Sequence, residues 1–356
     1  MIEKQSMQKD SDKILLVSVV MPVRDEADFI ERSLNAVLAQ EYPHDWLEII
    51  VADGLSTDST RTIIEKLQTV SDIPIIIVEN PGRIAPSGLN RAIAKAKGDI
   101  IVRVDGHCEI EPDYVANCVK YLREGRAEGV GGPIETIGET KQAQAIAVAM
   151  SSTFGVGGSA FRTVNDREIY VDTVAFPGYK REILEKAGPF NEELVRNQDD
   201  EFNYRIRKLG GRILLAPDIR SRYFSRSGFK SLWRQYFQYG FWKVRVFQLH
   251  PKQMSLRQFI PFLFVSTIIF FSLLSIFLTI GRWALLTVLG LYVLADLAAT
   301  IKAAARIKAA ALPFVFLSFP ILHLSYGLGF AAGLLAFWKK WWKNEPAAIP
   351  IPKIQS

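Results

Sequence analysis

A run of 22 residues without a charged side chain, residues 259–280, limits what this chain can fold into more than any other feature. About 20 consecutive apolar residues suffice for a helix to cross the hydrocarbon core of a membrane. Two further apolar segments follow at residues 284–301 and 312–338. The sequence therefore predicts a soluble amino-terminal part and then a membrane region over residues 258–338.

The path of the third apolar segment stays open at this stage. Pro313 and Pro320 interrupt it, so it either spans the membrane or forms a re-entrant or interfacial element. The loop before it carries three cations, Lys302, Arg306 and Lys308. The tendency of cationic loops to stay in the cytoplasm places this loop, and with it the soluble part, on the cytoplasmic side. Lysines beyond residue 338 argue against an outward carboxyl terminus.

The soluble part alternates between two kinds of pattern. Short apolar runs, rich in β-branched residues, occupy residues 14–21, 47–52, 75–78 and 100–104, and turns and helical patterns follow them. Such alternation is typical of an α/β fold, with a mostly parallel sheet and helices on both faces. We predict this domain over residues 14–225, after a polar tail at 1–13 that lacks the apolar core of a secretory signal.

Acids stand where two of these strands end. Asp53 follows the second run, and Asp105-Gly106-His107 follows the fourth. Ligands of open α/β sheets bind at the carboxyl ends of the strands. An aspartate and a histidine this close suit a divalent cation shared with a phosphate-bearing ligand. A single Asp of this kind is explained by turn formation and helix capping, but two at successive buried strands are not.

A third polar cluster opens a predicted helix further along. Asp199, Asp200 and Glu201 stand together there, ahead of an apolar helical pattern. Negative charge at a helix amino terminus is favourable by roughly 0.3–1 kcal/mol per group, which is the structural alternative. Three consecutive acids exceed what capping requires, so one of them is a candidate general base.

Positive charge gathers before the membrane region. Residues 196–257 hold roughly 14 Lys and Arg against 4 Asp and Glu, although the whole chain carries a net charge of only +6. Within this block, residues 228–246 combine aromatic and cationic side chains at helical spacing, which suits a lipid-water interface. We predict an interfacial segment over 226–257 and a carboxyl-terminal tail over 339–356. No nucleic-acid motif is present, and the two cysteines form no metal-binding or disulfide pattern.

Together these stretches resemble a known family. The segments VSVVMPVRDEADFIERSLNAVLAQ, IIVADGLSTDST, AKGDIIVRVDGH and NQDDEFNYRIRKLG resemble the family 2 glycosyltransferases, which have the GT-A fold. The DGH motif, NPGRIAPSGLN and RSGFKSLWRQYFQYG are similar to the ExoA-type glucosyltransferases of succinoglycan biosynthesis. The resemblance covers residues 14 to 250.

The resemblance implies a role for individual residues. Asp199 is the expected general base, with Asp200 beside it, and Asp105 and His107 are the expected ligands of Mn²⁺ or Mg²⁺. Expected contacts to the lipid acceptor and the membrane are Arg226, Trp233 and Arg234. Expected nucleotide-sugar contacts are Pro22, Arg24, Glu26, Asp53, Ser56, Asp58, Arg83, Asn90 and Asp105.

Two positions depart from the family pattern. His107 replaces the second acid of the DxD motif, and imidazole accepts Mn²⁺ more readily than Mg²⁺. Gln198 replaces the Glu of a Glu-Asp pair. The QxxRW motif of processive synthases is not found, which favours the transfer of one sugar per encounter.

The resulting hypothesis is a membrane-anchored, inverting, metal-dependent glycosyltransferase. It would move a sugar, expected to be glucose, from a UDP-sugar to a polyprenyl-diphosphate-linked saccharide in exopolysaccharide or cell-surface polysaccharide synthesis. The expected location is the inner membrane, with several spans, a cytoplasmic catalytic domain and other polysaccharide-assembly proteins as partners. Two alternatives remain at this stage: a polyprenyl-phosphate glycosyltransferase, and a catalytically silent member of an assembly complex.

Overall fold

A computed structural model describes residues 14–225 and 228–341, and it divides the chain into two compact units. Of the described residues, the first unit holds 14–135 and 164–223, and the second holds 136–163, 224–225 and 228–341. From the sequence we predicted that all of 14–225 forms one domain. Residues 136–163 instead group with the apolar helices, because the alanine-rich helix in this segment packs into their hydrophobic core.

The described elements are as follows. The strands are β1 (Val17–Val23), β2 (Leu47–Asp53), β3 (Ile75–Glu79), β4 (Ile100–Arg103), β5 (Cys108–Ile110), β6 (Gly129–Gly132), β7 (Ile134–Ile137), β8 (Ile169–Tyr170), β9 (Ala175–Lys180), β10 (Ile213–Leu215) and β11 (Ser221–Phe224). The helices are α1 (Ile30–Leu38), α2 (Thr60–Val70), α3 (Ala85–Lys95), α4 (Tyr114–Arg123), α5 (Lys141–Met150), α6 (Thr153–Val156), α7 (Ala160–Thr163), α8 (Arg181–Ala187), α9 (Gln198–Lys208), α10 (Phe229–Leu249), α11 (Ile260–Phe277), α12 (Thr279–Ala303) and α13 (Leu312–Ala336).

The first unit is built on an eight-stranded sheet with the order β3-β2-β1-β4-β9-β6-β10-β8. Strands β3, β2, β1 and β4 run parallel, as the alternating pattern predicts, and β10 runs parallel to β6. Strand β9 lies antiparallel between β4 and β6. The predicted α/β class with a mostly parallel sheet is therefore confirmed, and its strands are buried as central parallel strands should be.

The order of the strands creates a crevice at one place. From β1 the chain moves outward through β2 to β3, and then returns to place β4 on the opposite side of β1. This reversal opens a crevice beyond the carboxyl ends of β1 and β4, where open α/β sheets bind their ligands. A smaller sheet of order β5-β11-β7 continues from the loop after β4.

The second unit contains three helices that are long and apolar enough to cross a membrane, over Leu256–Phe277, Thr279–Arg306 and Ala309–Ala336. The third segment forms one continuous helix, α13, despite its two prolines. Pro313 lies in the first turn, where a missing N–H leaves no hydrogen bond unmade, and only Pro320 stands inside the helix. In lipid, neighbouring helices compensate for such an interruption.

Helix α10 packs directly against α13. Gly329 and Gly333 form a GxxxG motif on α13, and Cβ atoms there would overlap the carbonyl oxygens of Phe237 and press on that of Phe241. On α10, a Cβ atom at Gly240 would overlap the carbonyl oxygen of Tyr326. Small residues let two helix backbones approach closely in this way. The aromatic, basic helix expected at the interface is therefore packed along one side against a candidate membrane helix.

This contact predicts a position-specific effect of a single methyl group. We expect Gly329→Ala to destabilise the second unit by about 1–3 kcal/mol, because the two backbones must separate. Gly290→Ala is the matched control, since no atom lies within 4 Å of its added Cβ on α12, and alanine favours the helix by about 0.5–1 kcal/mol. Thermal unfolding of the detergent-solubilised protein measures both, and equal melting temperatures would contradict the close contact.

Candidate active site

A buried arginine connects two acids at the carboxyl end of β4. Arg103 is 6% exposed and donates from Nε to Asp105 Oδ1 (2.9 Å) and from Nη2 to Asp105 Oδ2 (3.2 Å). Its Nη1 donates to Asp199 Oδ1. Burial acts to lower the pKa of Arg103, but the attraction of the two carboxylates outweighs it and raises that pKa. The guanidinium therefore stays charged and holds the start of α9 against the end of β4.

Asp199 has the electrostatics of a proton acceptor. Burial raises its pKa above the ordinary aspartate value, repulsion from Asp105 and Asp200 adds to the rise, and Arg103 opposes it. A third of its side chain still remains exposed. A carboxylate with a raised pKa binds a proton more readily, as a general base requires. Gln198 Nε2 lies 3.5 Å from Asp199 Oδ2, and its own buried Oε1 has no partner among the described residues.

The three acids at the start of α9 differ in their contacts and exposure. Glu201 is 1% exposed and accepts from Arg205 Nε at 2.8 Å, so its charge is used inside the fold. Phe202 stacks on Phe190 with ring centroids 4.1 Å apart, which fixes the helix against the loop after α8. Asp200, which follows Asp199 in the chain, is partly exposed. Of the three acids that the sequence marked out, Asp199 is the one bonded to Arg103.

A histidine from the loop after β4 meets a glutamate from the loop after β1. His107 Nδ1 lies 3.0 Å from Glu26 Oε1, although the two residues are 81 positions apart in the chain. The Tyr223 ring of β11 packs edge-on against the imidazole, at 5.0 Å between centroids. Asp105, His107 and Glu26 thus gather at the ends of β1 and β4, where the strand order opens the sheet.

The loops after β1 and β2 are joined by hydrogen bonds. Asp25 has a left-handed backbone (φ 52°), and its Oδ1 accepts from Thr57 N at 2.8 Å. Asp53 is 1% exposed and accepts from Ser56 Oγ at 2.6 Å. Asp58 Oδ2 accepts from Ala27 N at 3.1 Å. This bonding fixes the shape of the crevice wall before any ligand arrives.

Comparison with known proteins identifies the family of this chain. Residues 18–188 match the model of the family described as Glycosyl transferase family 2. The succinoglycan biosynthesis protein ExoA of Rhizobium meliloti is 30% identical over 335 residues, which cover 92% of this chain and 98% of that protein. The chain belongs to glycosyltransferase family 2.

Two further relatives extend the picture. A Methanococcus voltae enzyme, a dolichyl N-acetyl-α-D-glucosaminyl phosphate 3-β-D-2,3-diacetamido-2,3-dideoxy-β-D-glucuronosyltransferase, is 30% identical over 90% of this chain and 97% of its own length. A mannosyltransferase of Pyrobaculum calidifontis, solved with GDP-Man and Mn²⁺, superposes with a TM-score of 0.56 at 19% identity, covering 95% of this chain and 94% of that chain. That likeness shows the GT-A fold of this glycosyltransferase.

The donor atoms of the crevice suit a divalent cation that a diphosphate helps to bind. Among residues 14–225 and 228–341, no three His, Cys, Asp or Glu side chains form a metal-binding group. Asp105 supplies carboxylate oxygens, and His107 supplies an imidazole nitrogen. Two protein ligands leave coordination positions for the oxygens of a nucleotide diphosphate and for water. The fit to a cation bound jointly with the donor is therefore good, and the mixed oxygen and nitrogen set favours Mn²⁺.

Other predicted contacts of this glycosyltransferase lie at different places. Arg24 Nη1 approaches the Arg83 carbonyl oxygen at 3.4 Å on the exposed rim of the first unit, and Pro22 lies just before this loop in β1. Asn90 donates to the Phe190 carbonyl oxygen at 2.9 Å and accepts from Phe190 N at 2.8 Å. Its amide therefore fixes α3 to the loop after α8.

The predicted acceptor contacts belong to the second unit, where the structure describes them. Trp233 and Arg234 lie exposed on α10, and Arg226 lies outside the described residues. Arg234 forms no ion pair or hydrogen bond with any residue that the structure describes. An unpaired cation beside an exposed tryptophan is available to an anionic ligand.

Two arginines at the site were not predicted from the sequence. Arg103 interrupts the apolar run of β4 directly before Asp105, and a charge inside a buried strand is a signal that a partner lies nearby. Arg61 of α2 lies 3.8 Å from Asp53 Oδ2 and 3.7 Å from Glu79 Oε1. Nothing in the sequence around Arg61 indicates that it faces the end of β2.

The pairing of Arg103 with Asp199 predicts a shift in pH dependence. The base must be deprotonated to act, so activity falls as the pH drops through the pKa of Asp199. Arg103→Gln removes the cation that lowers this pKa, and we expect the acid limb of kcat/KM to move to higher pH. Arg103→Lys keeps the charge, so it should move the limb less. An acid limb that stays in place in Arg103→Gln would contradict the assignment.

Proposed function

We propose that this family 2 glycosyltransferase moves a sugar, glucose by its likeness to ExoA, from a UDP-sugar onto a lipid-linked saccharide with inversion at the anomeric carbon. The observation that carries the proposal is the pair of carboxylates, Asp105 and Asp199, held by one buried arginine where the sheet opens. Asp105 belongs to the turn that carries the proposed metal ligands. Asp199 has a raised pKa, which suits a general base.

The residues divide the reaction between them. Asp199 takes the proton of the acceptor hydroxyl, whose oxygen then bonds to the anomeric carbon while the bond to the UDP oxygen breaks on the opposite face. The electron pair of that bond leaves with UDP. Arg103 keeps Asp199 charged and in position before the proton moves. Asp105 and His107 would hold a Mn²⁺ or Mg²⁺, which would supply the counter-charge for the diphosphate.

UDP is the nucleotide we propose, because Asp53 lies at the position that the resemblance assigns to uracil. Its carboxylate is oriented by Ser56 and faces Arg61 at the end of β2. A carboxylate accepts hydrogen bonds, which suits the N–H of a uracil ring. Comparing UDP with GDP binding tests this part separately from catalysis.

The second unit supports a lipid-linked acceptor at a membrane. An open groove on α10 is lined by Trp233, Arg234, Phe237, Gln238, Phe241 and Trp242. Aromatic walls with one unpaired cation suit an isoprenoid chain that ends in a phosphate. The name of the Methanococcus voltae relative includes a dolichyl sugar phosphate, which favours this class of acceptor. We place the catalytic unit on the cytoplasmic face of the inner membrane, where the cationic loop after α12 also belongs.

A substitution of the base tests the mechanism. Asp199→Asn removes the proton acceptor while keeping the shape of the side chain, and we expect sugar transfer to fall by about 10²–10⁴-fold with UDP binding nearly unchanged. Asp45→Asn is the matched control, since Asp45 is exposed at the amino end of β2, away from the crevice. Transfer of radiolabelled sugar from UDP-glucose to a membrane lipid extract is the assay, and isothermal titration measures UDP binding.

The same assay separates the alternatives. A phosphate acceptor needs no general base, so near-normal transfer by Asp199→Asn would point to a polyprenyl monophosphate acceptor. If the wild-type protein releases no UDP from any nucleotide sugar in a panel that includes Mn²⁺, the chain is a silent member of an assembly complex. Transfer from GDP-mannose alone would contradict the proposed nucleotide.

The groove on α10 predicts an effect confined to the acceptor. We expect Arg234→Gln to raise the KM for the lipid acceptor roughly tenfold, because a hydrogen bond to a charged group contributes about 1.5 kcal/mol. The KM for the donor should not change. Arg220→Gln, at an exposed arginine of the first unit that donates to the Pro217 carbonyl oxygen, serves as control. An unchanged acceptor KM in Arg234→Gln would place the lipid elsewhere.

A further inference from the structure

Glu26 is oriented toward His107 by its own loop. Its backbone N–H donates to Thr60 Oγ1 at 2.8 Å, and its carbonyl oxygen accepts from Ile30 N at 2.8 Å as α1 begins. The residue is only 9% exposed, and Oε1 lies 3.0 Å from His107 Nδ1. Because its backbone N–H and its carbonyl oxygen are both hydrogen-bonded and the residue is buried, Glu26 has little freedom to adjust to a bound ligand.

The turn between the two metal ligands is shaped to admit this glutamate. A Cβ atom at Gly106 would lie 3.2 Å from Glu26 Cγ and 3.1 Å from Val23 Cγ1. Glycine therefore leaves room for the Glu26 side chain beneath the Asp105-Gly106-His107 turn. The Tyr223 ring confines the imidazole from another direction.

This contact decides which nitrogen of His107 faces a ligand. A carboxylate only accepts hydrogen bonds, so Nδ1 carries the proton, and the lone pair lies on Nε2. No described residue hydrogen-bonds to Nε2. Metal-binding histidines commonly donate their other nitrogen to a carboxylate, which orients the ring and makes the ligating nitrogen more basic.

We propose that Glu26 is a positioning residue that holds His107 with Nε2 directed at the cation, rather than a contact to the nucleotide. The inference rests on the proposed function, since it assumes that a cation binds with the donor between Asp105 and His107. This role of Glu26 also explains how His107 can replace the second acid of the DxD motif. Glu26 contacts Nδ1 of the imidazole and supplies the negative charge that the second acid would have carried.

The test measures metal binding rather than turnover. Full-length protein in detergent is titrated with Mn²⁺ in the presence of UDP, and the loss of the free Mn²⁺ signal in electron paramagnetic resonance gives the affinity. We expect Glu26→Gln to weaken Mn²⁺ binding by roughly 10- to 100-fold, as loss of such a supporting carboxylate does. Glu31→Gln, at an exposed glutamate on α1, is the matched control and should leave the affinity unchanged.

A second background separates positioning from general damage to the fold. In His107→Asp the ligand is a carboxylate that needs no tautomer, and Glu26 then repels it. Glu26→Gln should therefore not weaken Mn²⁺ binding in the His107→Asp protein, and the single His107→Asp change should shift preference toward Mg²⁺. An equal loss in both backgrounds would show that Glu26 acts on the fold alone and would overturn the inference.

The remaining outcomes distinguish the two proposals. Wild-type protein that binds UDP without taking up Mn²⁺ would overturn the metal role in the proposed function, and this inference with it. Wild-type protein that binds Mn²⁺ as tightly as Glu26→Gln would overturn the inference alone. Nitrogen coupling to Mn²⁺ in the pulsed spectrum of the wild type, absent from His107→Asp, is the expected signature of the imidazole ligand.

Discussion

The site depends on one buried positive charge. Transferring a guanidinium out of water is costly unless carboxylates compensate for it, and Arg103 has two of them, at Asp105 and Asp199. Because neither carboxylate is close to the other in sequence, the arginine forces the end of β4 and the start of α9 to meet. Loss of Arg103 would leave both carboxylates without their compensating charge. The same contact therefore also brings together the two acids that the proposed chemistry requires.

Arg103 forms different hydrogen-bond arrangements with its two carboxylate partners. It binds Asp105 through both carboxylate oxygens, whereas it binds Asp199 through Oδ1 alone. The remaining oxygen of Asp199 has only a long contact, 3.5 Å from Gln198 Nε2. A glutamate at position 198 would add repulsion beside the base, while glutamine adds none. In the proposed mechanism Asp199 thus keeps one oxygen for the acceptor hydroxyl, and its pKa is set mainly by burial and by Arg103.

Local sequence patterns predicted the elements whose formation depends on residues close together in the chain. Apolar runs gave β1 to β4, and capping residues and helical spacing gave α9 and α10, since each signal lies within one turn or one strand. Contacts between residues far apart in the sequence could not be predicted. These are the antiparallel pairing of β9, the grouping of residues 136–163 with the candidate membrane helices, and the pair Glu26–His107. Arg103 had a local signal, a charge within an apolar strand, whereas Arg61 had none.

The departures from the family pattern favour an active enzyme over a silent one. A motif that had lost its function would not require a buried glutamate behind His107, or a glycine that makes room for it. Nor would it require a buried arginine to keep a base charged where burial raises its pKa. Buried charges destabilise a fold unless charges of opposite sign compensate for them. A domain with a purely structural role could carry apolar residues at these positions instead. Their presence together at the carboxyl ends of β1 and β4 is best explained by catalysis there.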